Sequence, residues 1–369
     1  MVIGIDASRA FLKRRTGIEE YAYQTIKHLR DVVPSTDQVI LYVRRKIEWQ
    51  KGRIILNYPE IDFSLPSHWR VRGIWAPRFW TQIGLSLEML WKAPGVLFIP
   101  AHTVPLIHPK RTVVTIHGLE YEFCPQAYSF WDRLYMRSSI RFSCQAAESI
   151  IAVSENTKHD LMRLYSAPQE KISVIYEGYE QGKNRTRPYT LNQKPYLLFI
   201  GRLEERKNII RIIEAFESLK KEHDIPHQLV LVGKPGYGYE KIQTKLSRSS
   251  YRSEIHEKGY IGEEEKWSLL GGAEVFLFPT LYEGFGIPIL EAQSVGIPVV
   301  TSNTSSLPEV AGEGAVFVDP KSSESIAQGI QKVLFDRDFR DGIIVKATQN
   351  VSRFSWAQCA NGIGQKLLR

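Results

Sequence analysis

Short runs of branched apolar residues alternate with helix-length amphipathic segments, and this alternation predicts a parallel α/β architecture. In the first half the pattern predicts strands over residues 2–6, 38–43, 95–100, 111–117, 149–154 and 171–176, and helices over 18–33, 130–146 and 155–165. In the second half it predicts strands over 196–201, 228–233, 274–279, 297–302 and 314–319, and helices over 208–222, 263–271, 284–295, 322–335 and 337–348. With no repeat of fixed period in the sequence, we expect two similar doubly wound, Rossmann-like domains.

A polar stretch rich in Gly, Asn, Thr and Pro separates the two halves and is typical of a linker. It runs over residues 180–194, EQGKNRTRPYTLNQK. A chain of 369 residues also exceeds what one ordinary hydrophobic core covers. We therefore predict a first domain over residues 1–183 and a second over 184–351.

Composition and cysteine count place the chain among ordinary globular proteins. With 43% hydrophobic and 24% charged residues it is neither disordered nor coiled-coil. Cys124, Cys144 and Cys359 are too few and too scattered for a disulfide framework, which indicates reduced thiols. The N-terminal MVIGIDASRA lacks a signal-peptide pattern, and no apolar run reaches the ~18–20 residues that span a bilayer. We expect a soluble, cytoplasmic protein.

Most of the net charge of +8 lies in the first half, with +6 over residues 1–183 and +2 over 184–369. A basic surface with interleaved aromatics suits peripheral contact with an anionic membrane, on its inner face. Nucleic acid is not expected because no recognition motif accompanies the charge. The alternative is an ordinary solvated surface over buried tryptophans. The clusters are Arg9, Lys13, Arg14 and Arg15; Arg44, Arg45, Lys46, Lys51 and Arg53; and Arg70, Arg72 and Arg78 among Trp69, Trp75, Phe79 and Trp80.

Basic residues follow the predicted strand 196–201, in FIGRLEERKN. Arg202 and Lys207 project from the strand end, and Asn208 is placed to cap the next helix. Fixed positive charge beside the free N–H groups of a helix start makes a site for a diphosphate. The alternative is a set of surface basic residues at a helix start.

A glycine-rich turn carries two carboxylates eight residues apart, in LYEGFGIPILEA (281–292). Gly284 and Gly286 let the backbone approach a ligand closely. Glu283 in the turn can accept hydrogen bonds from sugar hydroxyls, and Glu291 in the following helix can hold a hydroxyl pair such as a ribose. The spacing alone is common, but its place on a strand–turn–helix downstream of the basic site makes it specific.

Four segments together resemble one enzyme family. They are GRLEERKN (201–208), EGFGIPILEA (283–292), SSLPEVAGEGAVFVDP (305–320) and AVSENTKHDL (152–161). The chain is similar to retaining glycosyltransferases of the GT-B fold in glycosyltransferase family 4. The resemblance implies a first domain that binds the acceptor, a second that binds the nucleotide-sugar, and a cleft between them. It also implies that a terminal helix, about 352–369, packs on the first domain.

The resemblance assigns roles in the second domain. It implies that Arg202 and Lys207 bind the donor diphosphate, that Glu283 and the backbone of 285–287 (Phe285, Gly286 and Ile287) hold the transferred sugar, and that Glu291 holds the ribose. The run VGKPGYGYEKI (232–242), which contains Gly233 of the predicted donor site, resembles relatives that transfer mannose from GDP-mannose.

In the first domain the resemblance implies that His117, after strand 111–117, contacts the donor and that the backbone N–H of Gly17 contacts its phosphate. Most relatives carry a second small residue here, as in GIGRY, whereas this chain has GIEEY (17–21), and Glu19 and Glu20 argue against a side-chain contact with phosphate in that turn. His102 resembles a segment near the acceptor side.

Two missing features bear on mechanism. Asp336-Arg337-Asp338 lies between two helices and is interpreted as a helix cap, so neither a metal nor another cofactor is expected. No general base is evident, and the resemblance implies retention by a front-side route. We predict a hexosyltransferase (EC 2.4.1.-) that acts on a hydroxyl of a glycan or lipid-linked acceptor in cell-surface polysaccharide assembly.

The alternatives are a UDP- or dTDP-sugar donor with the same chemistry, a nucleotide-sugar epimerase of similar fold, and a non-catalytic basic module that binds membranes or polyanions.

Overall fold

The computed structural model describes residues 1–12, 15–50, 53–57, 59–76, 79–182 and 194–369, without the side chains of 46–50 and 53–57. These residues form two compact units. Unit 1 comprises Met1–Leu119, Phe130–Gly178 and Phe354–Arg369, and unit 2 comprises Glu120–Ser129 and Tyr179–Arg353. The predicted boundary between residues 183 and 184 lies outside the described residues.

Unit 1 is built on a parallel sheet in the order β5-β2-β1-β6-β7-β8-β9. Its strands are β1 (Val2–Asp6), β2 (Gln38–Arg44), β5 (Trp69–Ile74), β6 (Val96–Ile99), β7 (Thr112–Ile116), β8 (Ser149–Ala152) and β9 (Ile172–Val174), beside an antiparallel hairpin of β3 (Lys46–Gln50) and β4 (Arg53–Asn57). Its helices are α1 (Gly17–Leu29), α2 (Ser86–Lys92), α4 (Phe130–Ala146), α5 (Glu155–Tyr165) and α13 (Trp356–Leu368), and a π-helical turn (Trp80–Leu85) leads into α2.

Unit 2 is built on a second parallel sheet in the order β12-β11-β10-β13-β14-β15. Its strands are β10 (Tyr196–Ile200), β11 (Gln228–Val232), β12 (Ile255–Gly259), β13 (Val275–Phe278), β14 (Val299–Ser302) and β15 (Ala315–Val318). Its helices are α3 (Glu120–Phe123), α6 (Ile209–His223), α7 (Tyr239–Ser247), α8 (Glu263–Gly272), α9 (Ile287–Ser294), α10 (Leu307–Ala311), α11 (Ser323–Phe335) and α12 (Arg337–Val351).

Each sheet has the strand order of a doubly wound Rossmann-like fold, so the predicted fold class is confirmed. The order reverses between β1 and β6 in unit 1 and between β10 and β13 in unit 2. Ligands bind at such reversals, in the crevice beyond the carboxyl ends of the strands. The loops after β1, β6, β10 and β13 are therefore where a site is expected.

Every strand predicted from the sequence is present, whereas β5, β12 and the hairpin of β3 and β4 were not predicted. β5 and β12 each lie at an edge of their sheet, and their sequences, WRVRGI and IHEKG, are too polar to show an apolar run. A strand with one unpaired edge needs less burial, so its sequence carries a weaker signal. Helix α9 begins at Ile287 rather than at the predicted 284, because Gly286 has a φ of 122° and interrupts the helix before it.

The last helix, α13, packs on α1 within unit 1. Gly364 of α13 lies against Val32, and the Arg111 guanidinium donates to the Leu367 carbonyl over 3.1 Å. At the start of α13 the backbone of Trp356 passes so close to Gly178 that a Cβ there would lie 2.2 Å from the Trp356 nitrogen. The chain end is thus fixed to unit 1 by backbone contact.

None of the helices within the described ranges combines the length and the apolar character needed to cross a membrane.

Gly178→Ala tests this backbone contact. The added methyl meets main-chain atoms that cannot rotate away, so we expect unit 1 to lose about 1–3 kcal/mol of stability and the Tm to fall by several degrees in calorimetry. Gly342→Ala, in α12 with open space around it, is the control and should hold or raise the Tm. A wild-type Tm for Gly178→Ala would contradict the packing of α13.

Candidate functional site

A buried cluster of charges lies at the point where the strand order of unit 2 reverses. The Lys207 ammonium donates to Glu283 Oε1 over 2.5 Å, and Arg206 Nη1 lies 3.2 Å from the same oxygen. Lys207 and Arg206 belong to a 3₁₀ turn after β10, and Glu283 follows β13. The sheet order therefore brings together Lys207 and Glu283, two of the predicted site residues.

Arg206 holds the loop that carries Glu283. Its guanidinium donates to the Tyr282 carbonyl over 2.8 Å and to the Glu204 carboxylate over 2.9 Å. Burial would raise the pKa of Glu283, but the charges of Lys207 and Arg206 outweigh it and hold that pKa below its ordinary value. Glu283 is therefore an ionised carboxylate at neutral pH although its side chain is only 12% exposed.

Asn208 occupies the predicted N-cap position of helix α6, but its side chain makes no capping hydrogen bond to the helix. Its backbone adopts φ 66°, and the buried side-chain amide donates to the carbonyls of Pro279 and Pro320 over 2.8 and 2.7 Å. The amide therefore joins three loops. It also supplies the hydrogen-bond donor that these two buried carbonyls, which follow strands, require. Asn208 thereby fixes the loop of Lys207 against the loop after β13.

Arg202 lies in the same loop as Lys207 but is exposed, and it makes no ion pair with any residue that the structure describes. Its aliphatic stem lies over Gly236. Gly233, at the end of β11, approaches the neighbouring strand end so closely that a Cβ would lie 1.8 Å from the Gly201 carbonyl oxygen. The predicted residue Gly233 thus keeps the two strand ends close beneath Arg202.

The turn after Glu283 is held by two serines. Ser305 Oγ accepts from the Glu283 N–H over 3.2 Å, and the Ser306 hydroxyl lies 2.9 and 2.7 Å from the carbonyls of Glu283 and Phe285. The residues Phe285, Gly286 and Ile287 then lead into α9. Pro288 has no N–H, and the Ile289 N–H donates to the Gly286 carbonyl over 3.0 Å, which leaves the Ile287 N–H without an acceptor among the described residues. In a preformed turn such an N–H can bind an oxygen of a sugar or phosphate.

Glu291, one turn into α9, does not contact Glu283 but pairs with Lys266 of α8. Lys266 Nζ lies 2.8 Å from Glu291 Oε1 and also pairs with Glu263. Burial raises the pKa of Glu291, and Lys266 opposes that shift. Glu291 Oε2 accepts no hydrogen bond from the described residues, so one oxygen of the carboxylate is left for a ligand hydroxyl.

In unit 1, His117 follows β7 and is held at both ring nitrogens. Nδ1 lies 2.9 Å from Glu177 Oε1 and Nε2 lies 2.8 Å from the Pro100 carbonyl. Tyr21 of α1 packs edge-on against the imidazole at 4.5 Å, and His102 lies 5.2 Å away. Both nitrogens of His117 are engaged by protein acceptors, so a ligand contact would need one of these bonds to be exchanged.

Gly17 begins α1 and is exposed, with no atom near the place of a Cβ. The Glu19 carboxylate accepts from the Thr16 N–H over 3.2 Å, and Glu20 pairs with Arg15 at 2.8 Å. Both acidic side chains are therefore used locally, and the backbone of Gly17 stays open to solvent.

Three residues that hold the predicted site were missed in the sequence: Arg206, Glu177 and Lys266. Arg206 stands next to Lys207, and a second cation beside a predicted phosphate ligand is a signal that was available. Glu177 directly follows the predicted strand 171–176 and Lys266 lies inside a helix, and no local pattern relates either one to its partner.

The described residues contain no group of three or more His, Cys, Asp or Glu that could hold a metal ion. The Asp336 carboxylate accepts from the Phe339 N–H over 3.0 Å at the start of α12, so its interpretation as a helix cap is confirmed.

Comparison with known proteins places both halves of the chain in one family. Residues 182–350 match the family model of glycosyl transferases group 1, and residues 15–181 match that of glycosyltransferase family 4.

Individual relatives agree with these matches. O-antigen chain mannosyltransferase B of Escherichia coli is 32% identical over 260 residues, which cover 68% of each chain. O-antigen chain mannosyltransferase RfbU of Salmonella typhimurium is 24% identical over 328 residues, covering 87% of this chain and 88% of its own. Sucrose-phosphate synthase of Thermosynechococcus elongatus has the same fold, with a TM-score of 0.74 at 18% identity over 99% of this chain and 97% of its own. The chain therefore belongs to glycosyltransferase family 4, and its fold is the GT-B fold.

Proposed function

We propose that this glycosyltransferase moves a mannosyl residue from GDP-mannose to a hydroxyl of a glycan or lipid-linked acceptor in cell-surface polysaccharide assembly, with retention of configuration. The observation that carries the proposal is the buried Lys207–Glu283 pair beside the free Arg202, at the strand reversal of unit 2. The choice of mannose rests on relatives that are named as O-antigen mannosyltransferases.

Each group has a defined task in this proposal. The free guanidinium of Arg202 binds the diphosphate, and Lys207 neutralises the charge that develops on the departing nucleoside diphosphate. Glu283, released in part from Lys207, accepts hydrogen bonds from the sugar hydroxyls, and the Ile287 N–H at the start of α9 binds a further sugar oxygen. Glu291 Oε2 accepts from a ribose hydroxyl.

In the transfer step the bond from the anomeric carbon to the phosphate oxygen breaks, and a bond from that carbon to the acceptor oxygen forms on the same face. The acceptor proton moves to the departing phosphate oxygen. We propose that no metal takes part, because Arg202 and Lys207 supply the positive charge that stabilises the departing diphosphate.

His117 and Gly17, in unit 1, are proposed to contact the donor at its sugar and its phosphate. We place the reaction in the cytoplasm, at the inner face of the membrane. Cys124, Cys144 and Cys359 are free thiols, which suits a reducing compartment.

A thermal-shift panel tests the nucleotide. GDP at about 100 times its Kd should stabilise the protein by about 2.7 kcal/mol, which raises the Tm by several degrees, whereas UDP, dTDP and ADP should shift it less.

Transfer from GDP-mannose should continue in EDTA, and NMR should show an α-linked product from the α-linked donor. A larger shift with UDP or dTDP would overturn the choice of donor, and an epimer formed from the nucleotide-sugar alone would overturn transfer.

Glu283→Gln tests the sugar-binding carboxylate while keeping the size of the side chain. We expect kcat to fall by about 10²-fold, because a neutral amide is a weaker acceptor for sugar hydroxyls and no longer balances Lys207. Glu313→Gln, at an exposed carboxylate, should keep wild-type kcat. Near-normal turnover of a folded Glu283→Gln protein would remove Glu283 from the site.

Arg206→Gln tests what keeps Glu283 ionised. The folded protein holds the Glu283 pKa below its ordinary value, so the ionised carboxylate stabilises unit 2 above the unfolded pKa, and this contribution is lost as the pH falls through the folded pKa. Removing Arg206 should cost about 1–3 kcal/mol at pH 7 and move the midpoint of acid unfolding to higher pH. Arg337→Gln, at a solvated arginine, is the control. An unchanged acid midpoint for Arg206→Gln would contradict the role of Arg206.

A further inference from the structure

An exposed apolar stripe lies on the helical segment that follows β5 in unit 1. The residues of this stripe recur at intervals of three or four along the π-helical turn and α2, apart from one adjacent pair at its end, and each has an exposed side chain. They are Phe79, Ile83, Leu87, Leu90 and Trp91. Trp91 is 80% exposed. Burying such side chains is favourable, so an outward row of five is typical of a surface that meets an apolar phase.

The opposite side of the same segment is fixed in the core. Trp80 is buried, and its indole N–H donates to the Ile74 carbonyl over 3.2 Å. A Cβ on Gly84 would lie 2.9 Å from Ala76 Cβ, which shows how closely the segment packs against the chain after β5. The stripe therefore cannot turn inward to bury itself without breaking this packing.

Neighbouring residues extend the apolar surface. Ser86 Oγ accepts from the Ile107 N–H over 3.3 Å, and Gln82 lies 3.4 Å from the Val104 carbonyl. These bonds bring exposed Leu106 and Ile107 beside the stripe. Between β5 and α2 lies an open groove of about 600 Å³, whose lining includes Trp75, Leu87 and Trp91.

Charge around the stripe is almost all positive. Residues 63–119 contain six Lys and Arg but a single acidic residue, Glu88. Glu88 pairs with Arg72 at 2.5 Å, and both line the groove with Lys92. Arg70 and Lys92 are exposed. An apolar centre with tryptophans and a basic rim complements the interface of a bilayer that carries anionic headgroups.

We propose that the apolar stripe and its groove form the surface through which unit 1 docks on an anionic lipid bilayer, with the stripe in the headgroup region and the exposed Arg70 and Lys92 facing lipid phosphates. This surface differs in part from the basic and aromatic clusters that the sequence predicts for membrane contact. Arg9 and Arg15 pair with Glu19 and Glu20, and Trp69 and Trp80 are buried, so none of these four residues contributes. Lys13 and Arg14 of the first basic cluster lie outside the described residues.

Vesicle sedimentation of the full-length protein tests the surface. We expect binding to vesicles of phosphatidylcholine with about 30% phosphatidylglycerol, weaker binding to phosphatidylcholine alone, and a loss of affinity as salt screens the basic rim. Leu90→Glu and Trp91→Glu should each lower the affinity at least tenfold. Trp91→Leu should stay within about threefold of wild type, since it remains apolar. Arg70→Gln and Lys92→Gln should each cost about fivefold on the anionic vesicles.

Trp131→Glu is the matched control, because Trp131 of α4 is 74% exposed on another helix of unit 1. It should bind vesicles as wild type does. The proposal is overturned if wild type binds no vesicles, if Trp91→Glu binds unchanged, or if Trp131→Glu alone loses binding. It is also overturned if light scattering shows that Trp91→Glu abolishes a dimer while vesicle binding persists, since the stripe would then hold a second copy.

The vesicle-binding measurement does not depend on which sugar the enzyme transfers. Trp91→Glu should transfer to a water-soluble acceptor analogue at the wild-type rate and differ only on vesicle-borne acceptor. Failure of transfer by every variant, with the pattern of vesicle binding intact, would count against the proposed function and leave the docking surface in place.

Discussion

The ion pair between Lys207 and Glu283 is the interaction on which the rest of unit 2 depends. Both side chains are 12% exposed, and a charge at that depth is tolerated only with a partner of opposite sign. The loops after β10 and β13 must therefore stay together, and the Leu281 N–H adds a bond to the Arg206 carbonyl over 2.9 Å. The strand order places these loops side by side, so the fold and the charge cluster stabilise each other.

Neutral side chains also hold together the loops that the charged residues join. Asn208 joins three loops through two carbonyls, and the buried Ser306 hydroxyl bonds within the turn that carries Glu283. Because these donors already have acceptors within the protein, they do not rearrange to bind the charged side chains in the absence of a ligand. The turn is thus organised before binding, which is the condition under which fixed dipoles and charges stabilise a developing charge well. Arg202, beside this cluster, makes no ion pair with any described residue, and its proposed contact with the donor diphosphate rests on that exposure.

In unit 1 a polar residue, His117, is enclosed in the interior, whereas an apolar stripe lies on the surface. His117 is enclosed by Glu177, Pro100 and Tyr21 at the end of a central strand, where its orientation is fixed. The stripe from Phe79 to Trp91 lies on a segment outside the sheet, and its inward side is locked by Trp80. Rigid packing of one side is what makes the other side available to a partner without a cost in reordering.

The sequence by itself determined the buried strands and the glycine turn after Glu283, because buried parallel strands and tight turns leave patterns that are local in the chain. It did not determine the hairpin of β3 and β4, nor β5 and β12, and for the last two the reason is that an edge strand is only partly buried and its polar positions hide the apolar run. Only the tertiary structure decided that Lys207, across 76 residues, and its neighbour Arg206 would meet Glu283, and that Trp75 and Trp91 would be exposed while Trp69 and Trp80 are buried. Charge pairing and exposure depend on which elements pack together, and no local pattern of residues specifies that.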